Sequence, residues 1–139
     1  MKTNESDIIK LLEKKHKSDV FVSHCKNGST WGTRGLLILD AWVMKRSWVN
    51  PFVIGYEIKT SRNDFINDTK WKKYLDYCNA FYFVCPPQII KKEELPIEAG
   101  LYYTSKNVKM LYIQKSSLYR AIPIPEEIYR YILICRAVV

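Results

Sequence analysis

Apolar positions along the chain recur first with a helical period and then with a strand period. Over residues 4–15, Ile8, Leu11 and Leu12 form one stripe, Asn4 or Ser6 can cap the start and Asp7 sits in the first turn, which predicts a helix. Residues 19–24 are short and β-rich, and Asn27-Gly28 supplies a turn favouring positive φ. Residues 36–44 form a long apolar run interrupted by one charge, Asp40. Residues 45–50 are a polar break closed by Pro51, and residues 52–59 resume the strand pattern, so the two runs predict a hairpin. The period then changes. Between residues 63 and 79, Trp71, Tyr74, Leu75 and Cys78 fall at i, i+3, i+4 and i+7, the stripe of an amphipathic helix.

Residues 80–84 read as a buried strand stopped by Pro86-Pro87, and residues 88–100 as mostly loop. Residues 101–104 and 108–114 predict a further pair of strands. Pro125 is expected to open a last helix at its first position, with Glu126 and Glu127 favourable to the dipole and Ile128, Tyr131, Ile132 and Cys135 on its buried face. The predicted class is α/β: an αβββαβ core with a mixed central sheet flanked by helices, plus a short C-terminal β-α extension. No repeat or linker interrupts it, so one domain over residues 1–139 is expected.

Composition narrows the function classes. With 47% apolar residues the chain can build a true core, which excludes a disordered tail or a disulfide-stapled mini-protein. Its apolar runs are too short for a membrane span, and the opening residues, Met-Lys-Thr-Asn-Glu-Ser-Asp, do not resemble a secretory leader. Cys25, Cys78, Cys85 and Cys135 form no C-x-x-C pair, so a reduced, cytoplasmic protein without a zinc knuckle or thioredoxin-type site is expected. A net charge of +8 favours a polyanionic partner, nucleic acid being the commonest, although a merely lysine-rich surface gives the same number.

Three charges sit where burial makes them costly. Asp40 lies within Leu36-Leu37-Ile38-Leu39-Asp40-Ala41-Trp42-Val43, and Glu57 and Lys59 lie in Val53-Ile54-Gly55-Tyr56-Glu57-Ile58-Lys59. Strand alternation sends Glu57 and Lys59 to one face and Tyr56 and Ile58 to the other. Pairing across the turn then brings Asp40 beside Glu57. The D/E-x-K spacing occurs three times, at Glu13-Lys14-Lys15, Glu57-Ile58-Lys59 and Asp68-Thr69-Lys70. Only the middle copy falls on a predicted strand with a buried acid on the strand before it. Two close carboxylates repel, which raises affinity for a divalent cation, and hard oxygen donors suit Mg²⁺ or Mn²⁺. Such an ion can activate water for in-line attack on a phosphodiester, with the lysine holding or helping to deprotonate that water, or pairing with a non-bridging phosphate oxygen. The structural alternative is a buried lysine-carboxylate pair.

The αβββαβ order, with Leu39-Asp40-Ala41-Trp42 on the second strand and Gly55-Tyr56-Glu57-Ile58-Lys59-Thr60-Ser61-Arg62-Asn63-Asp64-Phe65 from the third, resembles the PD-(D/E)xK nuclease superfamily. Within it, Lys70-Trp71, Tyr74, the stretch Phe81 to Pro86, Glu94-Leu95-Pro96 and the C-terminal Ile124-Pro125 to Arg136-Ala137 resemble MmcB-type DNA-repair proteins and their phage relatives. The resemblance implies a restriction-endonuclease-like fold. It also implies a site with Asp40, Glu57 and the Ile58 carbonyl as metal ligands and Lys59 as the catalytic lysine. Many superfamily members add an acid from the first helix, for which Glu13 and Glu5 are rival candidates.

Arg62, Lys70 and Lys73 are candidates for phosphate contacts, against the plainer reading of a solvated helix face. Trp71 fits core better than base stacking, and Asp64 and Asp68 fit a helix start better than a second metal. His24 has no partner at ligand spacing in the sequence. Tyr102, Tyr103, Tyr112 and Tyr119 read as sheet packing. The expected function is Mg²⁺- or Mn²⁺-dependent hydrolysis of DNA, with RNA a further substrate class, in repair or phage DNA metabolism. The rival is a repair-accessory module of the same fold that binds nucleic acid and cleaves little. A homodimer or a larger repair or phage complex would supply a second basic surface.

Overall fold

The computed structural model describes residues 3–28 and 35–137. Helix α1 (Glu5–Lys15) starts where the Asn4 side chain accepts a hydrogen bond from the Asp7 amide at 2.9 Å, satisfying one amide that the first turn leaves free. Its stripe buries Ile8 and Leu12 completely, each worth about 1.5–3 kcal/mol of apolar transfer. Strands β1 (Val20–Lys26), β2 (Ile38–Met44) and β3 (Val53–Ile58) follow as an antiparallel meander. Strands β4 (Ala80–Cys85) and β5 (Ala99–Thr104) continue the sheet in parallel, and β6 (Leu111–Lys115) closes it antiparallel to β5. The result is a six-stranded mixed sheet in the order β1 to β6. The expected α/β class with a mixed central sheet is therefore what the chain adopts.

All six residues of β3 are buried, as a central strand covered on both faces requires. On one face Ile54, Tyr56 and Ile58 pack with Ala41, Val43 and Val84 under Ile8 and Leu12. On the other, Val53 joins Trp42, Tyr74, Tyr77, Phe81, Phe83, Leu101 and Ile128. Leu39 and Trp42, three apart on β2, lie in the same layer, as do Val22 and Cys25 on β1. Regular alternation would put such residues on opposite faces. The change of face falls at the unpaired step between Ser23↔Ala41 and Cys25↔Leu39, where His24 adopts a left-handed φ of 48°.

Several expectations are corrected. Residues 63–79 do not form one helix but α2 (Arg62–Asn67), α3 (Trp71–Tyr74) and a 3₁₀ turn over Leu75–Tyr77. The break has a local cause: Asp68 is extended (ψ 108°), and its Oδ1 accepts from the Lys70 and Trp71 amides at 2.8 and 3.1 Å. The apolar stripe survives the break, because Trp71 packs on Phe81 and Phe83. Strand β6 starts at Leu111, since Val108 lies in a left-handed turn (φ 53°). Asn27-Gly28 begins a longer connection, in which Asn27 donates to the Gly35 carbonyl and the Tyr77 hydroxyl and accepts from the Leu37 amide. Pro125 caps α4 (Glu126–Tyr131) from outside rather than opening it. The following turn, Ile132–Arg136, widens to π spacing, which rotates Cys135 off the buried stripe and leaves it exposed.

Because β3, β4 and β5 run parallel, their C-terminal ends share one edge of the sheet, and antiparallel β2 brings its start to the same edge. Asp40, Ile58 and the residues after β3 meet there.

Candidate active site

The paired β2–β3 ladder ends at Ala41↔Tyr56. One step beyond, the Asp40 carboxylate takes the place of backbone: its Oδ2 accepts from the Ile58 amide at 2.7 Å. The N–H and C=O of one strand residue point to the same side, so the Ile58 carbonyl also faces the Asp40 side. Glu57 is 7% exposed, and its Oε1 has no hydrogen-bond partner among the described residues. Burial, the charge of Asp40 and the closeness of the two carboxyls push Glu57 up to about 9. Burial also raises Asp40, against the opposing effects of the adjacent Glu57 carboxyl and the Ile58 amide bond, with the Glu5 charge adding to the rise.

Lys59 is 8% exposed and reaches Glu57 Oε2 at 3.5 Å and Asp68 Oδ2 at 2.6 Å. Burial alone would lower its ammonium, but the Asp68 bond and the surrounding carboxylate charges outweigh it, and the net shift is upward. Lys59 is therefore a fixed cation. From the sequence, Asp68 is expected only at a helix start. Its Oδ1 does accept from the Lys70 and Trp71 amides ahead of α3, but Oδ2 also anchors Lys59. The detectable signal was the weak helix-forming run Asn67-Asp68-Thr69, which breaks the helix beside the third D-x-K triplet.

These groups line an open cleft of about 420 Å³ together with Glu5, Asp64, Asn67, Thr69 and Lys70. Of the rival first-helix acids, Glu5 lies in the cleft, while Glu13, two turns further along α1, is not among its lining residues. His24 gains the partners its sequence position did not offer: Nε2 lies 3.1 Å from Glu5 Oε1, and Glu5, His24 and Asp40 each bring one ligand atom within 4.8 Å of the others.

The candidate phosphate contacts do not converge. Lys70 borders the cleft, whereas Lys73 lines a separate groove with Tyr77 and the segment Ile122 to Pro125. Arg62 is committed elsewhere. Its guanidinium grips Glu94 with both arms, one bond measuring 2.6 Å, and donates to the Ile89 carbonyl at 3.0 Å. That grip holds the Glu94 carboxyl down at about 2.

A second charged cluster occupies the opposite edge of the sheet. Asp19 Oδ2 meets His16 Nδ1 at 3.0 Å and Lys45 Nζ at 2.9 Å, and Oδ1 accepts from the Arg46 amide at 3.2 Å. A carboxylate only accepts, so Nδ1 of His16 carries the proton and Nε2 accepts from the Tyr56 hydroxyl at 2.7 Å. Burial opposes the Asp19 charge, yet these donors overcome it and hold Asp19 at about 2. Burial lowers His16.

A profile of the family described as DNA repair protein MmcB-like matches residues 49–120, just over half of the chain. The chain belongs to the MmcB-like family. The match contains Glu57, Lys59 and Asp68, while Asp40, Glu5 and His24 lie N-terminal to it. A DNA-repair-related role with DNA as partner follows from MmcB-like membership. No curated protein matches the chain. A solved structure of a protein of unknown function from Silicibacter pomeroyi is similar over 96% of this chain and 84% of its own, with a TM-score of 0.69 and 19% identity, a likeness of fold. Among the described residues, no helix is long and apolar enough to cross a membrane.

Proposed function

We propose that this MmcB-like chain is a Mg²⁺- or Mn²⁺-dependent deoxyribonuclease of the PD-(D/E)xK type. One observation carries the reading: the buried, partnerless Glu57 Oε1 stands beside the Asp40 carboxylate, with the Ile58 carbonyl turned to the same side. A structural ion pair has no use for an orphaned acid oxygen, since an unsatisfied buried acceptor costs roughly 1–3 kcal/mol. The donor set is all hard oxygen and fits a divalent cation in place of the proton that Glu57 otherwise keeps. Asp40, Glu57 and the Ile58 carbonyl would hold the ion, which when bound supplies water activation and charge neutralisation at a phosphate.

The chain's own residues supply the rest. Lys59, fixed as a cation by Asp68, offers charge to a non-bridging phosphate oxygen and orients the attacking water. Held charged by the surrounding carboxylates, it acts first as an electrostatic group. Glu5 borders the same gap from α1, the place of the extra acid seen in many nucleases of this type.

The test is cleavage of single-stranded, duplex and flapped DNA with Mg²⁺ or Mn²⁺, comparing wild type with Lys59→Ala. Metal-dependent cutting lost in the variant is the expected result. DNA bound but cut by neither protein would replace this reading with the repair-accessory module.

A further inference from the structure

Away from the cleft, α1 and the turn between β5 and β6 enclose a second groove of about 670 Å³. Lys10, Lys14, Lys106 and Lys109 line it, with Asp7 its one acid and Leu11 and Val108 its apolar floor. All four lysines are exposed, and none takes part in a salt bridge among the described residues. Lys10 and Lys14 stand at i and i+4 on α1, an arrangement that works against the helix unless an anion lies across it.

The turn is built to present its lysines. The Ser105 amide donates to the Met110 carbonyl at 2.9 Å, and Ser105 Oγ accepts from the Lys109 and Met110 amides at 3.0 and 3.1 Å. Val108 is held left-handed at φ 53°, an uncommon conformation for a β-branched residue, with its side chain packed against the α1-side core. Its neighbours Lys106 and Lys109 are thereby held at the groove, facing Lys10 and Lys14.

We propose that this groove is a sequence-independent track for the phosphate backbone of the DNA strand that enters the cleft. Two observations link the places. Glu5 lines the cleft while Thr3, Asp7, Lys10 and Lys14 line the groove, so α1 borders both. The turn follows the C-terminal end of β5, on the same sheet edge as the end of β3 and two strands away, about 10 Å at ordinary strand spacing. Four ammonium groups without a lining aromatic ring or buried donor suit phosphates rather than bases. The inference rests on the nuclease reading only for the strand's destination.

Binding of fluorescein-labelled single-stranded and duplex DNA, read by anisotropy in EDTA over a range of potassium chloride concentrations, separates the two claims because nothing is cut. Lys10→Glu/Lys14→Glu and Lys106→Glu/Lys109→Glu are each expected to weaken binding about tenfold or more and to flatten the log–log salt slope by roughly 1.5–2. Lys17→Glu/Arg46→Glu makes the same charge change at the opposite sheet edge and is expected to shift affinity less than about threefold. Thermal melting of each variant shows that it folds. Equal losses in all three variants, or none in the groove pairs, would overturn the track. Loss confined to the groove pairs supports it, even if the wild type never cuts DNA.

Discussion

The two ends of the sheet use the same ingredients, buried acid and lysine, to opposite ends. At one edge every oxygen of Asp19 has a donor, from His16, Lys45 or the Arg46 amide, and the carboxylate is held at about 2. At the other, Glu57 keeps one oxygen without a donor, stands against Asp40 and is pushed up to about 9. The systems meet at adjacent residues of β3, since Tyr56 serves His16 from one face and Glu57 opens to the other. A satisfied charge network locks a fold, whereas an under-satisfied acid leaves a place that the proposed nuclease reading fills with a divalent cation. Burial and charge alone do not tell these apart; the count of donors around each oxygen does.

The contrast is open to attack at several points. The largest effect expected is on cleavage: Glu57→Ala or Lys59→Ala should lower the metal-dependent rate by about 10²–10³-fold or more, while Asp19→Asn, assayed well below its melting temperature, should change it less than about fivefold. Comparable losses in single-turnover rates would erase the distinction. Stability should respond in reverse. Asp19→Ala removes the shared acceptor of His16, Lys45 and the Arg46 amide and should cost about 2–4 kcal/mol in urea unfolding.

Metal should stabilise one edge only. Saturating Mn²⁺ at about 100 times its Kd should add about 2.7 kcal/mol to wild type, seen as a higher Tm, and nothing to Glu57→Ala. The smaller effects concern pH in EDTA. The Glu57 carboxyl binds its proton more tightly folded than unfolded, so its contribution is complete below its ordinary 4.5 and lost as pH rises through about 9. Glu57→Gln should flatten that decline and raise Tm at pH 8. Asp19 has the opposite sign: its contribution is complete above its ordinary 3.8 and lost as pH falls through about 2. Melting curves from pH 2 to 9 check both slopes.

Much of this architecture is legible from pattern. The capped first helix, the β2–β3 hairpin, the buried β4 and the α/β class all follow from periodicity and punctuation. The adjacency of Asp40 and Glu57 follows from a hairpin register that the buried faces of both strands fix. What the sequence hides depends on one residue acting in two places. Asp68 breaks a helix whose apolar stripe continues regardless, so the periodicity of Trp71, Tyr74 and Cys78 misleads, and its second oxygen reaches Lys59 through space. Arg62 resembled a phosphate contact because its exposure is local information, whereas its partner Glu94 lies 32 residues away. Glu5 and His24 meet for the same reason, 19 residues apart in the chain and in contact only after α1 folds against the sheet.

The Asp40–Ile58 bond gives the sheet itself a stake in what the cleft holds. A main-chain amide of the central strand is tethered to a carboxylate rather than to a neighbouring strand. Any cation that draws electron density from that carboxylate loosens its hold on the amide proton. The Ile58 ¹H–¹⁵N resonance and its hydrogen-exchange rate thereby become a built-in gauge of occupancy, readable in intact protein without a substrate or a turnover.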